Sequence, residues 1–150
     1  MKYFKQCYTH HCSTHSVDGA SNRAFYTPIS ANEMSLIRIG AVIRNPFTGK
    51  AITAKAPVDT GIILTVVPRR VADELQLPVI GKRREATAKG TTELDECVGV
   101  VEVMGRKAYV HILVSNDVDI ALIGATTLET LGLEVDPTTG KLKETTTYLL

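Results

Sequence analysis

The segment Ala-Pro-Val-Asp-Thr-Gly-Ile-Ile-Leu-Thr, residues 56–65, decides the fold of this chain. It places an acidic residue at the end of an apolar run of strand character and follows it at once with threonine and glycine. Because the strand fixes the backbone, the carboxylate of Asp59 is presented at its end, where a cleft can form. Thr60 offers a hydroxyl for a buried hydrogen bond, and Gly61 permits a tight turn with its amide close to the carboxylate.

A single carboxylate contributes little to the hydrolysis of a peptide bond. Two neighbouring carboxylates can share one proton, so that one acts as a base and the other as an acid. The chain contains one Asp-Thr-Gly sequence, at residues 59–61. A site with two carboxylates therefore requires a second copy of the chain, related by a two-fold axis through the site. The simpler interpretation of the tripeptide is a strand-to-turn junction, since Asp and Gly are common turn residues.

The remainder of the chain from Met34 onward indicates one mainly β domain over residues 34–150, because apolar runs of strand length alternate with turn signals. Strands are predicted at 35–44, 51–58, 97–103, 107–114, 120–123, 133–135 and 141–143, with a β-branched run at 62–67. Short helices are predicted at 69–76, which Pro68 opens, and at 126–131, which Gly132 ends. The pattern fits a small closed or partly open β-barrel.

A second motif strengthens the interpretation of the first. The apolar run 120–123 ends at Gly124 and is followed by a helix that carries Leu128 and Leu131. Residues 87–91 form a hairpin tip of small residues, which suits a loop that opens and closes over a bound peptide. With these segments in this order, residues 35–142 resemble the single-domain, retropepsin-like aspartic proteases of prokaryotes, which are relatives of the retroviral proteases. The matching segments are 58–61, Thr65, 68–77, 88–90, 122–124, 128–133, 135–137 and 140–142.

The resemblance implies a homodimeric aspartic endopeptidase with an acid-protease-like barrel and neither a metal nor another cofactor. Asp59 would be the catalytic carboxylate, activating a water molecule that attacks the peptide carbonyl without a covalent intermediate. Thr60 would donate a hydrogen bond across the dimer axis, and Gly61 would brace the carboxylate or contact substrate. The remaining implied residues are Thr65, Ile123 and Gly124 behind the site, and Ile62, Ala88, Lys89 and Gly90 on the substrate and flap side.

Two positions depart from the pattern of that family. Ile62 stands where a small residue usually follows Asp-Thr-Gly, and a β-branched side chain there would narrow the substrate pocket. Pro57 cannot donate a hydrogen bond to a β-ladder, so its position is predicted to face an edge or an irregular spot. Ile62 motivates an alternative function, in which the same fold serves for dimerisation or peptide binding without useful turnover.

Composition limits the other classes of function. The chain has 150 residues, 44% of them hydrophobic and 22% charged, with a net charge of +1. This length suits one domain, and neither nucleic acid nor a membrane surface is an expected partner. Three cysteines and the absence of an apolar leader favour a reducing, cytoplasmic setting. The expected partners are a second copy of the chain and a peptide or protein substrate.

Residues 1–33 are polar and irregular, and two interpretations stay open. They form a poorly ordered extension, or Met34 is the natural start. A metal site built from the cluster Cys7, His10, His11, Cys12 and His15 is the less favoured interpretation of this region. At the other end, the β-prone run 145–150 is expected either to fray or to pair with its copy across a dimer axis.

Several single residues are better explained by structure than by chemistry. His111 is expected to be a partly buried strand residue and Cys97 a small core residue. Asp117, Asp119 and Asp136 are expected in solvated turns. The basic run 82–84 is expected in a solvated loop.

Overall fold

The computed structural model describes residues 37–146, and these residues form short strands and two helices. The strands are β1 (Arg38–Arg44), β2 (Ala51–Asp59), β3 (Thr65–Pro68), β4 (Val79–Thr87), β5 (Gly90–Val103), β6 (Arg106–Ser115), β7 (Ile123–Gly124), β8 (Leu133–Asp136) and β9 (Lys141–Glu144). The helices are α1 (Arg69–Leu75), between β3 and β4, and α2 (Ala125–Leu131), between β7 and β8. The prediction of a mainly β domain with two short helices is confirmed.

The strands follow from alternation of apolar and polar residues. In β6, Val110 and Ile112 are buried while Tyr109 and His111 are exposed, as expected for a strand with one face on the core, and from Ile112 to Ser115 every residue is buried. Residues at similar positions of β1 and β5, including Ile43 and Val101, are fully buried against them. Burying each such side chain contributes on the order of 2 kcal/mol, so the domain is held together mainly by this apolar interior.

Seven strands form one sheet in the order β3-β6-β5-β1-β2-β7, with β4 paired to the β5 strand outside that path. Most neighbours are antiparallel, but β3 runs parallel to β6 and β7 runs parallel to β2. The hairpin of β8 and β9 forms a separate two-stranded sheet. The parallel pairing of β2 and β7 aligns Asp59 with Gly124.

The described residues form no closed barrel, which corrects the closed form of the predicted architecture. At the two ends of the strand order, Val66 of β3 forms an isolated antiparallel bridge with Leu122, which directly precedes β7. The ladder of β3 is formed with β6 and that of β7 with β2, and no ladder among the described residues joins β3 to β7.

Both helices begin and end close to their predicted limits. Pro68 precedes α1 in an extended conformation, and Gln76 ends that helix in the left-handed region with φ of 50°. Gly132 ends α2 with φ of 68°, a conformation that glycine adopts without steric cost. The apolar residues of the two helices, Val71, Ala72 and Leu75 of α1 and Leu128 and Leu131 of α2, are buried in the core.

Three local predictions were wrong. The segment 120–123 is not one strand, because Leu122 pairs with β3 whereas Ile123 and Gly124 pair with β2. In the β-branched run 62–67, residues 62–64 belong to a loop and β3 begins at Thr65. The basic run 82–84 lies in β4, where Arg83 pairs with Glu96 of β5 and Lys82 lies near Asp95. Charged residues suit β4 because its residues 79–84 are exposed and because charges on an edge strand protect its free backbone groups from pairing with another chain.

The predictions for residues 1–33, including the Cys7 to His15 cluster, lie outside the described residues, as do those for 147–150. Within residues 37–146, no helix is long and apolar enough to cross a membrane.

Candidate active site

Asp59 is the last residue of β2 and lies between two different kinds of strand pairing. On one side β2 pairs antiparallel with β1, and on the other Asp59 aligns with Gly124 of the parallel strand β7. The Asp59 residue is only 4% exposed, so its carboxyl group is removed from bulk water. A buried carboxyl with few partners is an expensive feature in a small domain, and such features concentrate at functional sites.

The two oxygens of the Asp59 carboxyl group have different surroundings. Oδ1 accepts a hydrogen bond from the amide of Gly61 at 2.8 Å, as the sequence predicted for a tight Asp-Thr-Gly turn. Oδ2 is buried, and no donor among the described residues is hydrogen-bonded to it. A buried acceptor without a partner costs about 1–3 kcal/mol of folding free energy. Such a group calls for an explanation, and a catalytic role is one of the recognised explanations.

The loop that follows Asp59 is held by the first turn of α2. The amide of Ala125 donates to the carbonyl of Ile62 at 2.9 Å, and the amide of Thr126 donates to the carbonyl of Ile63 at 3.0 Å. No side chain caps this helix, so the loop carbonyls satisfy amides that every helix leaves without internal partners. The loop and the helix therefore stabilise each other.

Gly124 allows the loop to approach β7 closely. A Cβ atom at this position would lie 2.5 Å from the carbonyl carbon of Leu64 and 2.7 Å from the carbonyl oxygens of Ile63 and Leu64. Real Cβ atoms essentially never approach other atoms this closely, and backbone atoms cannot swing aside. Glycine, which was predicted behind the site, is therefore required at position 124, because the loop backbone occupies the space that a Cβ atom would need.

The loop that follows Asp59 ends at Thr65, the first residue of β3. Thr65 is fully buried, and its Oγ1 accepts a hydrogen bond from the amide of Gly124 at 3.2 Å. The same oxygen lies 2.7 Å from Oγ1 of Thr127 in α2. Thr127 was absent from the sequence prediction, although a signal for it exists. It precedes buried Leu128 and lies four residues before buried Leu131 in α2, and a hydroxyl on that buried face needs a partner.

The neighbouring residues Ile62 and Ile63 differ in exposure. Ile62 is 9% exposed and packs inward, while its carbonyl is bonded to α2. Ile63 is 74% exposed and presents its side chain at the surface, beside exposed Thr60 and Gly61. The bulky residue that was predicted to narrow the substrate side is thus buried in this chain, and its neighbour is the one on the surface.

Pro57 is accommodated inside the sheet rather than at an edge. It is fully buried and aligned with Arg38 of β1. The amide of Val58 donates to the carbonyl of Ile37, which marks 37 and 58 as a hydrogen-bonded pair. In an antiparallel ladder such pairs alternate with pairs that exchange no hydrogen bonds. Pro57 occupies a position of the second kind and β7 begins to pair only at Val58, so its missing N–H is not needed.

The predicted flap residues lie at the tip of the β4–β5 hairpin. Ala88 and Lys89 form its turn, and Gly90 has φ of 119°, a conformation that side chains rarely permit. The hydroxyl of Thr87 donates to the carbonyl of Gly90 at 2.9 Å and accepts from the amide of Lys89 at 3.3 Å. All three predicted flap residues are exposed. Their contact with a substrate stays a prediction.

The other residues considered in the sequence have structural positions. Cys97 is buried as predicted, and burial raises the pKa of its thiol. His111 is more exposed than predicted, because its strand position points away from the core, and its Nδ1 is hydrogen-bonded to Glu96. Among residues 37–146, no group of His, Cys, Asp and Glu side chains is arranged to hold a metal ion.

Comparison with known proteins gave matches among solved structures only; no family model and no curated protein matches the chain. The simian foamy virus protease is 24% identical, with 62% of this chain and 92% of that chain covered and a TM-score of 0.45. The EIAV protease in complex with the inhibitor HBY-793 is 17% identical, with 65% and 88% covered and a TM-score of 0.49. A retropepsin-like aspartic protease from Rickettsia conorii is 25% identical, with 67% and 84% covered and a TM-score of 0.49.

These similar structures are retroviral and retropepsin-like proteases, the class that the sequence was predicted to resemble. The predicted resemblance is confirmed at the level of fold class.

Proposed function

We propose that this chain is an aspartic endopeptidase whose single active site forms between two copies of the chain. The observation that carries the proposal is the Asp59 carboxyl group. It lies at the end of a strand, is 4% exposed, has one oxygen bonded to the Gly61 amide and has the other oxygen without a partner. Peptide hydrolysis by carboxylates requires this kind of fixed and poorly solvated acid.

The second carboxyl group is supplied by the Asp59 of another copy. Two carboxyl groups about 3 Å apart cannot both ionise, so they hold one proton between them. The ionised group then removes a proton from water as the water attacks the peptide carbonyl. The protonated group donates a hydrogen bond to the developing oxyanion, and a later proton transfer releases the amine. The proton shared at Oδ2 would also give that oxygen the hydrogen bond that it lacks in a single chain.

Exposed residues next to Asp59 support assembly about a two-fold axis. Thr60, Gly61 and Ile63 all lie at the surface of the loop. In an isologous dimer the same surface meets itself, so a residue close to the axis lies close to its own copy. The Thr60 hydroxyl would then donate a hydrogen bond to the partner's loop, as the sequence resemblance implies. An extended peptide would lie across the two loops under the hairpin tips of both copies.

The test is a peptide-library digest with the parent chain and Asp59→Asn in parallel, with size-exclusion chromatography of both. The expected result is cleavage by the parent and a loss of at least about a thousandfold in Asp59→Asn, since the acid and base roles are both removed. Asp117→Asn, which changes an exposed turn carboxylate, is the matched control and should cleave as the parent does.

Cleavage by Asp59→Asn at the parent's rate would contradict the proposal. A parent chain that binds extended peptides but cleaves none, at acidic and at neutral pH, would instead support the alternative of a binding or dimerisation domain.

A further inference from the structure

The buried hydroxyl pair of Thr65 and Thr127 is a feature that peptide hydrolysis by Asp59 does not by itself require. Thr65 is 0% exposed and Thr127 is 1% exposed, so neither hydroxyl reaches water. Their oxygens lie 2.7 Å apart, and the Thr65 oxygen also accepts from the Gly124 amide at 3.2 Å. Buried hydroxyls are costly unless both are bonded, so this pair exists only where its geometry is maintained.

The pair joins the elements that surround the Asp59 loop. Thr65 is the first residue of β3, where the loop ends, and Gly124 is aligned with Asp59, where the loop begins. Thr127 belongs to the first turn of α2, whose preceding amides at 125 and 126 hold the carbonyls of the loop. A displacement of this turn would move both of those amides and, through Gly124, the strand beside the carboxylate.

We propose that Thr127 is a positioning residue for catalysis, which acts on the Asp59 carboxyl group through Thr65 and the first turn of α2. This inference rests on the proposed function and adds a residue to it. The hydroxyl of Thr127 keeps α2 in register with β3. The helix amides therefore stay hydrogen-bonded to the loop carbonyls. The loop in turn keeps the Gly61 amide hydrogen-bonded to Oδ1 of Asp59.

The test compares Thr127→Val with the parent, with Thr127→Ser and with the control Thr130→Val. Valine keeps the branched shape but removes the hydroxyl. Serine keeps the hydroxyl. Thr130 lies exposed on the same helix, where its hydroxyl donates to the carbonyl of Thr126, so Thr130→Val makes the same chemical change away from the loop.

In Thr127→Val, kcat should fall by about tenfold or more while KM changes by less than about threefold, because a small displacement of a catalytic group affects the reaction more than substrate binding. Thr127→Ser should restore kcat to within about threefold of the parent, since the hydroxyl pair is regained. Thr130→Val should match the parent. All rates are compared well below each variant's melting temperature, so that unfolded chains do not lower the measured rates.

Hydrogen exchange of the loop amide at Gly61 and of the α2 amides that bond to the loop gives a readout that does not depend on activity. The amides of Gly61, Ala125 and Thr126 should exchange at least about tenfold faster in Thr127→Val than in the parent, while those in the centre of β6 should not change. If Thr127→Val does not fold, Thr127→Cys replaces it. A thiol is a weak donor and acceptor and should give a smaller change in the same direction.

A Thr127→Val chain with the kcat of the parent, or with unchanged exchange at the amides of Gly61, Ala125 and Thr126, would overturn the positioning role. A parent chain without activity would count against the proposed peptidase, and the exchange measurement would still decide whether Thr127 holds the loop.

Discussion

Position 124, beside the Asp59 loop, has no room for a side chain. Replacing Gly124 with alanine places a methyl group within 2.7 Å of three backbone atoms of residues 63 and 64. Backbone atoms in a loop held by α2 cannot move aside without breaking those hydrogen bonds. We expect Gly124→Ala to lower the free energy of unfolding by about 3 kcal/mol, at the upper end for overpacked interiors.

The measurement for Gly124→Ala is chemical unfolding, with Gly40→Ala as the control. No atom lies within 4 Å of a Cβ built on Gly40, which is in β1 and does not have positive φ. Gly40→Ala should change the stability by no more than about 0.5 kcal/mol. Equal stability of the two variants would show that the loop does not pack on Gly124 as described.

At the residue scale, the sequence predicts where Asp59, Gly61 and Gly124 lie in the fold, and the catalytic role of Asp59 stays a proposal. Asp59, Gly61 and Gly124 were identified because each has a local signature, namely a strand end, a tight turn and a strand that ends before a helix. Thr127 and the inward packing of Ile62 were not predicted. Their roles depend on residues distant in sequence, such as Thr65 for Thr127, and no local pattern specifies that partner.

Asn45 connects two elements. It is 2% exposed, and its Nδ2 donates to the carbonyls of Leu75 and Gln76 at the end of α1, while its Oδ1 accepts from the amides of Phe47 and Thr48 in the β1–β2 turn. Asn45→Ala would leave four backbone groups without these partners. We expect a loss of about 3 kcal/mol, because unsatisfied groups in a buried site cost about 1–3 kcal/mol each and partial access of water offsets part of the total.

Thermal unfolding measures this loss, and Asn116→Ala is the matched control. Asn116 is exposed and accepts only a long hydrogen bond, 3.4 Å, from Arg69. Its replacement should change the stability by less than about 0.5 kcal/mol. A similarly small effect at Asn45 would mean that the turn and α1 are not tied together through this side chain.

A charged cluster joins β4, β5 and β6. The Arg83 guanidinium donates two hydrogen bonds to the Glu96 carboxylate, and His111 is bonded to the same group. Arg83 first, and His111 second, lower the pKa of Glu96 from 4.5 to about 2. Because the pKa is lower in the folded chain, the stabilisation is fully present above about pH 4.5 and is lost as the pH falls towards 2.

Glu96→Gln tests this pH dependence. The melting temperature of the parent should exceed that of the variant at pH 5, and the two should converge as the pH falls towards 2, where the parent's carboxyl becomes protonated and resembles the amide. Glu93→Gln changes an exposed carboxylate on the same strand and is the control. A gap between parent and Glu96→Gln that stays constant from pH 5 to pH 2 would contradict the assigned cause.

At the element scale, helix ends were predicted more closely than strand ends. Pro68, Gln76 and Gly132 act locally, through fixed or left-handed backbone geometry, so their positions can be read from neighbours in sequence. The limits of β7 depend on two different partners, because Leu122 pairs with β3 and Ile123 with β2. An apolar run alone does not reveal where such a change of partner occurs.

Residues 37–146 form a seven-stranded sheet and a separate two-stranded sheet, and the sequence does not disclose the order of the strands. The pairing of β1 with β5, and the parallel pairing of β3 with β6, join segments far apart in sequence. Alternation predicts which face of each strand is buried but not which strand lies beside it. The described residues contain one Asp59 loop, and its surface residues, Thr60, Gly61 and Ile63, supply the contact through which we propose that two copies meet.

The most direct measurement of a shared site is the activity of mixed chains. Parent and Asp59→Asn chains are combined in equal amounts, allowed to exchange subunits, and assayed against parent alone at the same total concentration. If both copies of Asp59 are needed, only dimers of two parent chains cleave, and the mixture should retain about a quarter of the activity. About half of the activity would show that each chain hydrolyses peptides with its own Asp59, and would contradict a site formed between two copies.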